Sequence, residues 1–424
     1  MSARIVIVTG MNLCRNPRVV KEANALADAG YRVTLLRPVL SREMAALDAE
    51  IMEGAGWNVR TTVDLTSRPG SVWTRLVRRA GVEAARRGVD RPEALGYGVR
   101  RTLRLARELG ADLTIGHQEV GLWVVNRLAE AGMRVGVDVE DWYSEDLPLA
   151  SRVGRPVGLL QREEEVAIQR GGHATTTSEA LARALARAYG GPAPTVVYNA
   201  FPWSDRQTVD GRRVDRDETG RLSLHWVSQT IGPDRGLEDV VAALALVEQP
   251  VDLHLRGRWV PGYEDRLRRQ FPLDEGHRLV GHGFVPPGDL LSRIAEHDIG
   301  LALEPKSSVS TDLTVSNKLL HYLLAGLPVI AADTAGQREI AEAAPEAVRT
   351  YAHGDPAALA EAVRQLADPA RLASASRAAL AAAERTFSWE RQRDRLVASV
   401  AAALAAPPPA RARGPELPLS ATTA

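Results

Sequence analysis

The sequence predicts an α/β protein built from two successive Rossmann-like, doubly wound parallel sheets. Three observations carry this. Short apolar runs of strand length alternate with stretches whose apolar residues recur at helical spacing, first from residue 5 to 199 and again from 222 to 351. Polar residues follow several of those runs directly, at His117, Glu140 and Asp333, where parallel sheets present ligand-binding groups. A charged, glycine-containing, aperiodic stretch, 205–221, separates the two cycles as the expected linker.

A chain of 424 residues is long enough for two cores. Its 53 Lys and Arg balance 53 Asp and Glu, so no global charge points to nucleic acid or to an acidic substrate. Lysine occurs only at 21, 306 and 318, with arginine everywhere else, so a single arginine says little. Cys14 stands alone, which excludes an internal disulfide and a four-cysteine zinc site. Neither a signal-peptide pattern nor an apolar run of membrane-spanning length is present, and a cytoplasmic protein is expected. With no DxD triplet and no His or Cys cluster at ligand spacing, no metal is expected.

Taken in order, residues 5–8 read as the first strand, 11–16 as a loop, 17–29 as a helix stopped by Gly30, and 31–36 as the second strand. A dinucleotide site would carry G-x-G-x-x-G in that first turn; TGMNLCRNP stands there instead, which disfavours NAD. Between 71 and 107, arginines surround Trp73, Leu76 and Val77. Solvated helix faces over the sheet are the expected account, with a basic amphipathic helix on an anionic membrane as the alternative. Strands over 111–116, 135–139, 173–178 and 195–199 complete the first cycle, and Ser178 caps a helix.

The second cycle places strands at 222–227, 251–255, 280–285 and 299–303, with helices at 236–247 and 287–297. Residues 312–333, DLTVSNKLLHYLLAGLPVIAAD, are the most informative stretch. Ser316 and Asn317 open a helix bearing Leu319, Leu320, Leu323 and Leu324; Gly326 ends it, and 329–332 form a buried strand. A helix that opens beside strand ends is an anion site, and Lys318 in its first turn adds a full positive charge. Beyond it follow a helix with Glu339 and Glu342, a strand at 347–351, helices at 357–367 and 371–387, and a last helix at 389–404. Residues 405–424 are rich in Pro and Ala and are expected to be disordered.

Residues 312–333 resemble the nucleotide-sugar segment of glycosyltransferase family 4, the group 1 glycosyltransferases. Lys318, Tyr322, Ala325, Gly326, Pro328, Val329 and Ile330 stand in the family's places. His321 replaces the usual Glu, and Leu313 stands where many members carry another. Similarity runs from the first strand to Trp389. It implies a GT-B fold: residues 1–204 bind the acceptor, 222–387 bind the donor across a cleft, and 388–404 cross back onto the first domain. The implied activity is metal-independent sugar transfer from a nucleoside-diphosphate sugar, with retention of configuration.

Such a reaction must stabilise a leaving diphosphate, and fixed cations and helix N-termini do so in a dry cleft. The resemblance implies His117, Arg235 and Lys318 as catalytic residues. Gln229, Gly236, Gly257, Phe284, Val285, Ser316, Asn317 and His321 are the implied donor contacts, and Asn12, Glu140, Asp141 and Trp142 the acceptor contacts. Arg235 replaces the usual Lys before Gly236 and Gln229 the usual Arg, with Lys306 a candidate for the missing charge. No cofactor is expected beyond the donor, for which a GDP-sugar is weakly favoured.

The N-terminal half is similar to sugar transferases of lincosamide antibiotic pathways, which join a GDP-octose to a small, ergothioneine-like thiol; this implies a small-molecule acceptor. Three alternatives stay open: a transferase acting on polysaccharide or glycolipid, a catalytically silent sugar-nucleotide-binding partner protein, and an epimerase of the same architecture. Nucleic acid is not expected as a partner, membrane contact is not favoured, and the oligomeric state is open.

Overall fold

The structure, a computed structural model, describes residues 2–67, 70–148, 151–217, 220–272 and 276–407. Most of the tail expected to be disordered, from 408 onward, lies outside them.

The first sheet contains β1 (Arg4–Val8), β2 (Arg32–Val39), β3 (Asn58–Asp64), β4 (Leu113–His117), β5 (Val135–Val139), β6 (His173–Thr176) and β7 (Thr195–Val196). They lie in the order β3-β2-β1-β4-β5-β6-β7, every pair parallel. The second contains β8 (Leu222–Ile231), β9 (Val251–Trp259), β10 (Arg278–His282), β11 (Ile299–Ala302), β12 (Val329–Ala332) and β13 (Val348–Tyr351), in the order β10-β9-β8-β11-β12-β13, again all parallel. In both sheets the order reverses beside the first strand, and that switch point opens a crevice at the carboxyl ends.

Burial on both faces explains why the central strands are nearly continuous apolar runs: Ile5–Val8 and Val329–Ala332 are wholly buried. Sequence reading did not separate β3, whose residues are mostly exposed and polar, nor the helices Arg42–Met52, Gln118–Glu130 and Val157–Arg170. β8 and β9 also run past the apolar stretches read from the sequence, because they stay paired with each other as far as Ile231 and Trp259.

Helix ends follow local chemistry. Ser178 accepts from Leu181 N and Ser316 from Lys318 N, while Gly326 closes the helix Asn317–Ala325 at φ 87°. The helix Trp389–Ala405 crosses back to the first domain. Its Val400 and Ala403 join a core with Ile5, Ile7 and Leu26, and Ser399 Oγ lies 2.9 Å from His173 Nδ1.

Residues 209–217 lie against the second domain through ion pairs. Arg293 donates to Asp210 at 2.7 Å, Glu296 accepts from Val214 N and Asp215 N, and Arg216 pairs with Asp298 at 2.7 Å. Behind them four histidines gather, from β8 (His225), β9 (His254), β10 (His282) and the turn after Pro287–Ile294 (His297). The ring centroids of His225 and His297 are 4.5 Å apart, and His254 Nδ1 lies 2.9 Å from His282 Nε2. Burial holds His225 and His297 well below the usual imidazole range and pushes His254 down to about 4.

Candidate functional site

Both crevices face each other across contacts between the domains. Trp142 N donates to Ser310 Oγ at 3.0 Å, Ser310 N donates to Glu145 O at 3.2 Å, and Glu339 of the second domain accepts from Ala180 N at 2.8 Å. Ser178 Oγ donates to Leu313 O.

On the second domain, β8 leads into a turn where Asp234 adopts φ 57° and Gly236 φ 76°. A side chain at Gly236 would meet Leu303 O at 2.6 Å, so only glycine lets the helix Leu237–Leu244 start this close to β11. Arg235 is exposed at that N-terminus, with Nη2 3.4 Å from Thr230 Oγ1. Gln229 lies exposed on the same strand.

Lys318, in the first turn of Asn317–Ala325, pairs with Glu304 just past β11, and its Nζ sits 5.5 Å from the ring centre of Trp226. Burial would raise the Glu304 carboxyl; Lys318 overcomes this and holds it below the usual range. Ser316 is half-buried at the cap and Asn317 exposed beside it. Lys306 lies 3.6 Å from Asp312.

His321 stacks on Phe201, and burial together with nearby Lys21 lowers its imidazole to about 4. It is therefore neutral at pH 7. Gly257 has φ 149°, and a side chain there would meet Ser228 O at 2.3 Å, so its close backbone neighbour is the adjoining strand. Past β10, Phe284 is 60% exposed with Val285 half-buried beside it, and the Arg258 guanidinium lies 5.8 Å from the Phe284 ring.

Two chemistries meet on the first domain. One is enclosed: Arg18 donates to Asp138 at 2.6 Å and to Val197 O at 2.6 Å, and His117 bonds to Glu22 with its other ring nitrogen 3.7 Å from Asp138. His117 has no exposed surface. Burial opposes its charge, but Glu22 and Asp138 prevail and hold the imidazole above its usual range. Glu22, opposed by burial and favoured by His117, is held low. Among the described residues, Glu22, His117 and Asp138 also bring one potential ligand atom each within 4.8 Å of one another, a grouping invisible in the sequence spacing. Asn12 is likewise buried, donating to Asp48 at 2.8 Å and accepting from Leu40 N at 3.0 Å.

The other is open. A pocket of about 320 Å³ at the ends of β1, β4 and β5 is lined by Gly10, Gln118, Glu119, Glu140, Asp141 and Arg155, among others. Gln118 holds φ 61°, and its side-chain Oε1 accepts from Thr9 Oγ1 and Gly10 N. Arg155 pairs with Glu119 at 2.6 Å and Asp146 at 2.9 Å. Burial of the carboxyl in the cleft, followed by Glu140 and Asp146, pushes Asp141 up to about 7, although the residue as a whole is exposed. Trp142 turns away from it, donating through Nε1 to Tyr189 Oη at 2.8 Å.

The fold thus brings Glu140 and Asp141 into one pocket, and Arg235, Ser316, Asn317 and Lys318 to one end of the second sheet. It places His117 and Asn12 inside the first domain. Sequence reading noted Gln118 at its strand end without giving it a role, and missed Glu304, Arg258 and Arg155. Glu304 and Gln118 stand at strand ends, the signal that singled out His117 and Glu140; Arg258 and Arg155 carried no signal among so many arginines.

A Ser-capped helix start carrying Lys318 and a helix opened by Gly236 lie at the carboxyl ends of the second sheet's strands. Residues 222–368 match the family model of the glycosyl transferases of group 1. Among solved structures the whole chain is similar to HepE of Anabaena in complex with UDP, at 18% identity and TM-score 0.64, covering 95% of this chain and 100% of HepE. It is similar to sucrose-phosphate synthase of Thermosynechococcus elongatus, at 15% identity and TM-score 0.65, covering 94% and 98%. UDP-GlcNAc 2-epimerase of Neisseria meningitidis bound to UDP-GlcNAc is similar at 12% identity and TM-score 0.56, covering 95% and 100%. These likenesses establish the GT-B architecture of two Rossmann-like domains with a helical C-terminus. No curated protein matches the sequence. Among the described residues, no helix is long and apolar enough to cross a membrane.

Proposed function

We propose that the chain is a glycosyltransferase that moves a sugar from a nucleoside-diphosphate sugar on the second domain to an acceptor in the first-domain pocket. One observation carries this: the end of the second sheet where two helices open, with Arg235 exposed and Lys318 paired to Glu304, adjoins the first-domain pocket holding Asp141 through the contacts of Trp142 and Glu145 with Ser310.

As the glycosidic bond breaks, negative charge grows on the diphosphate. In this reading Arg235 and the free N–H groups of the helix Leu237–Leu244 meet it directly, and Lys318 does so on release from Glu304. The acceptor must lose a proton, and a carboxyl near pH 7 is matched to take it, which makes Asp141 the base of this reading. Fixed cations support transfer without a metal. HepE was solved with UDP and with UDP-glucose, which supports a UDP-sugar donor; the lincosamide-pathway resemblance supports GDP. Retention of configuration and a thiol acceptor rest on the sequence resemblance.

Thermal denaturation with UDP, GDP, ADP and dTDP, on the wild type and Lys318→Ala, tests the donor site through mass-action stabilisation. One nucleotide should raise Tm in the wild type and much less in the variant. If none does, the second domain holds no donor and the proposal falls. Turnover of the matching nucleotide sugar, with the product linkage read by NMR, separates transferase from silent binder and retention from inversion.

A further inference from the structure

The helix Gly70–Arg86 turns its outer face to solvent with Val72 54%, Trp73 71% and Leu76 53% exposed. Of the eight tryptophans in the chain, Trp73 is the one whose ring stands in solvent. Nothing in the first-domain core requires this, since the helix is anchored by its inner side. There Gly81 packs so close to residues 93 and 94 that a side chain would meet Ala94 N at 2.8 Å. Exposed large apolar side chains one turn apart on one helix face mark a contact surface rather than scatter.

Charge identifies the partner. Although the chain is neutral overall, residues 70–110 hold ten arginines against four carboxylates. Arg75 and Arg79 flank Leu76 on the exposed face, Arg86 and Arg87 lie two turns further on, and together with Arg78 and Tyr97 they line a shallow groove of about 870 Å³. A tryptophan and aliphatic ridge bordered by arginines is the composition of a helix that lies in the interface of an anionic bilayer.

We propose that the outer face of the helix Gly70–Arg86 is a docking surface for an anionic phospholipid bilayer, with Trp73 and Leu76 entering the headgroup region and Arg75 and Arg79 meeting lipid phosphates. Arg78 lines both the outer groove and the pocket that holds Glu140 and Asp141, so docking sets that pocket's mouth at the membrane surface. An acceptor carried by lipid would then reach the cleft without leaving the bilayer. The docking itself does not depend on the transferase reading, because vesicle binding is measured without turnover.

Co-sedimentation of the full chain with vesicles of phosphatidylcholine, alone or with about a third phosphatidylglycerol, is the test. The chain should pellet with the anionic vesicles only and be released at about 1 M salt, where the screening length falls to about 3 Å. Trp73→Ser with Leu76→Ser, and separately Arg75→Glu with Arg79→Glu, should each reduce the bound fraction about tenfold or more with unchanged Tm, because all four residues are exposed. Arg371→Glu with Arg377→Glu, exposed on the second domain, should bind like the wild type. Absence of pelleting, or an equal loss in the second-domain pair, would overturn the proposal. So would a dimer of the wild type that Trp73→Ser abolishes, since the face would then belong to a second copy of the chain.

Discussion

His321 lies flat against Phe201, with ring centroids 4.1 Å apart and planes 16° from parallel. Phe201 is itself fixed by the returning chain, whose Trp389 N donates to Phe201 O at 2.9 Å. The residue that the sequence resemblance offers as a donor contact is thus tied to the end of the first domain and the returning C-terminal helix.

Phe201→Ala should return water to His321 and raise its pKa from about 4 toward the ordinary value near 6.5. A two-dimensional NMR titration of the imidazole reads this directly. An unchanged pKa would show that Lys21, rather than the stacked ring, keeps His321 neutral.

Arg235→Ala and Lys318→Ala should each lower kcat/KM about a hundredfold or more, the scale of a lost charge-stabilising donor. Their stabilities should differ. Arg235 is exposed and its loss should leave Tm unchanged, whereas Lys318→Ala strands the Glu304 carboxylate and should lower Tm. Full activity in both variants would remove this end of the second sheet from the chemistry.

Asp141→Asn should reduce turnover by about a hundredfold or more and abolish the acidic limb of the rate profile. In the wild type, activity should rise with pH through about 7 as the carboxyl ionises. A limb that survives in the variant would assign it to another group.

Two buried groups should give stability profiles of opposite sign. His254 is pushed down to about 4, so below pH 6.5 the unfolded chain takes a proton that the folded one refuses. Relative to His254→Gln, the wild type should lose about 1.4 kcal/mol for each pH unit between about 6.5 and 4. Glu164, whose carboxyl accepts from Ser144 Oγ at 2.6 Å, is pushed up to about 7 by burial. Here the folded state holds the extra proton. Relative to Glu164→Gln, the wild type should lose stability as pH rises from about 4.3 to 7 and level off above it. Urea denaturation from pH 4 to 8 measures both; parallel profiles would refute the assignment of either charge state.

Much of this was legible in the linear sequence because the signals are local. Val329–Ala332 must be buried because four apolar residues lie between a Gly-Leu-Pro turn and Asp333, and Ser316 caps because its hydroxyl reaches an N–H two residues on. Two α/β cycles and the helix that carries Lys318 followed from such short-range chemistry. The environment of each charged side chain did not. His117 stands at a strand end like a ligand-binding residue, yet Glu22, 95 residues away in sequence, closes over it. Glu304 meets Lys318 only because β11 ends beside the start of the helix Asn317–Ala325, and Trp73 is exposed because Gly81 presses the other side of its helix onto the domain. Hydrogen bonding and periodicity act over a few residues and can be read along the chain, whereas desolvation and Coulomb interactions depend on distances in space, which only the packed fold sets.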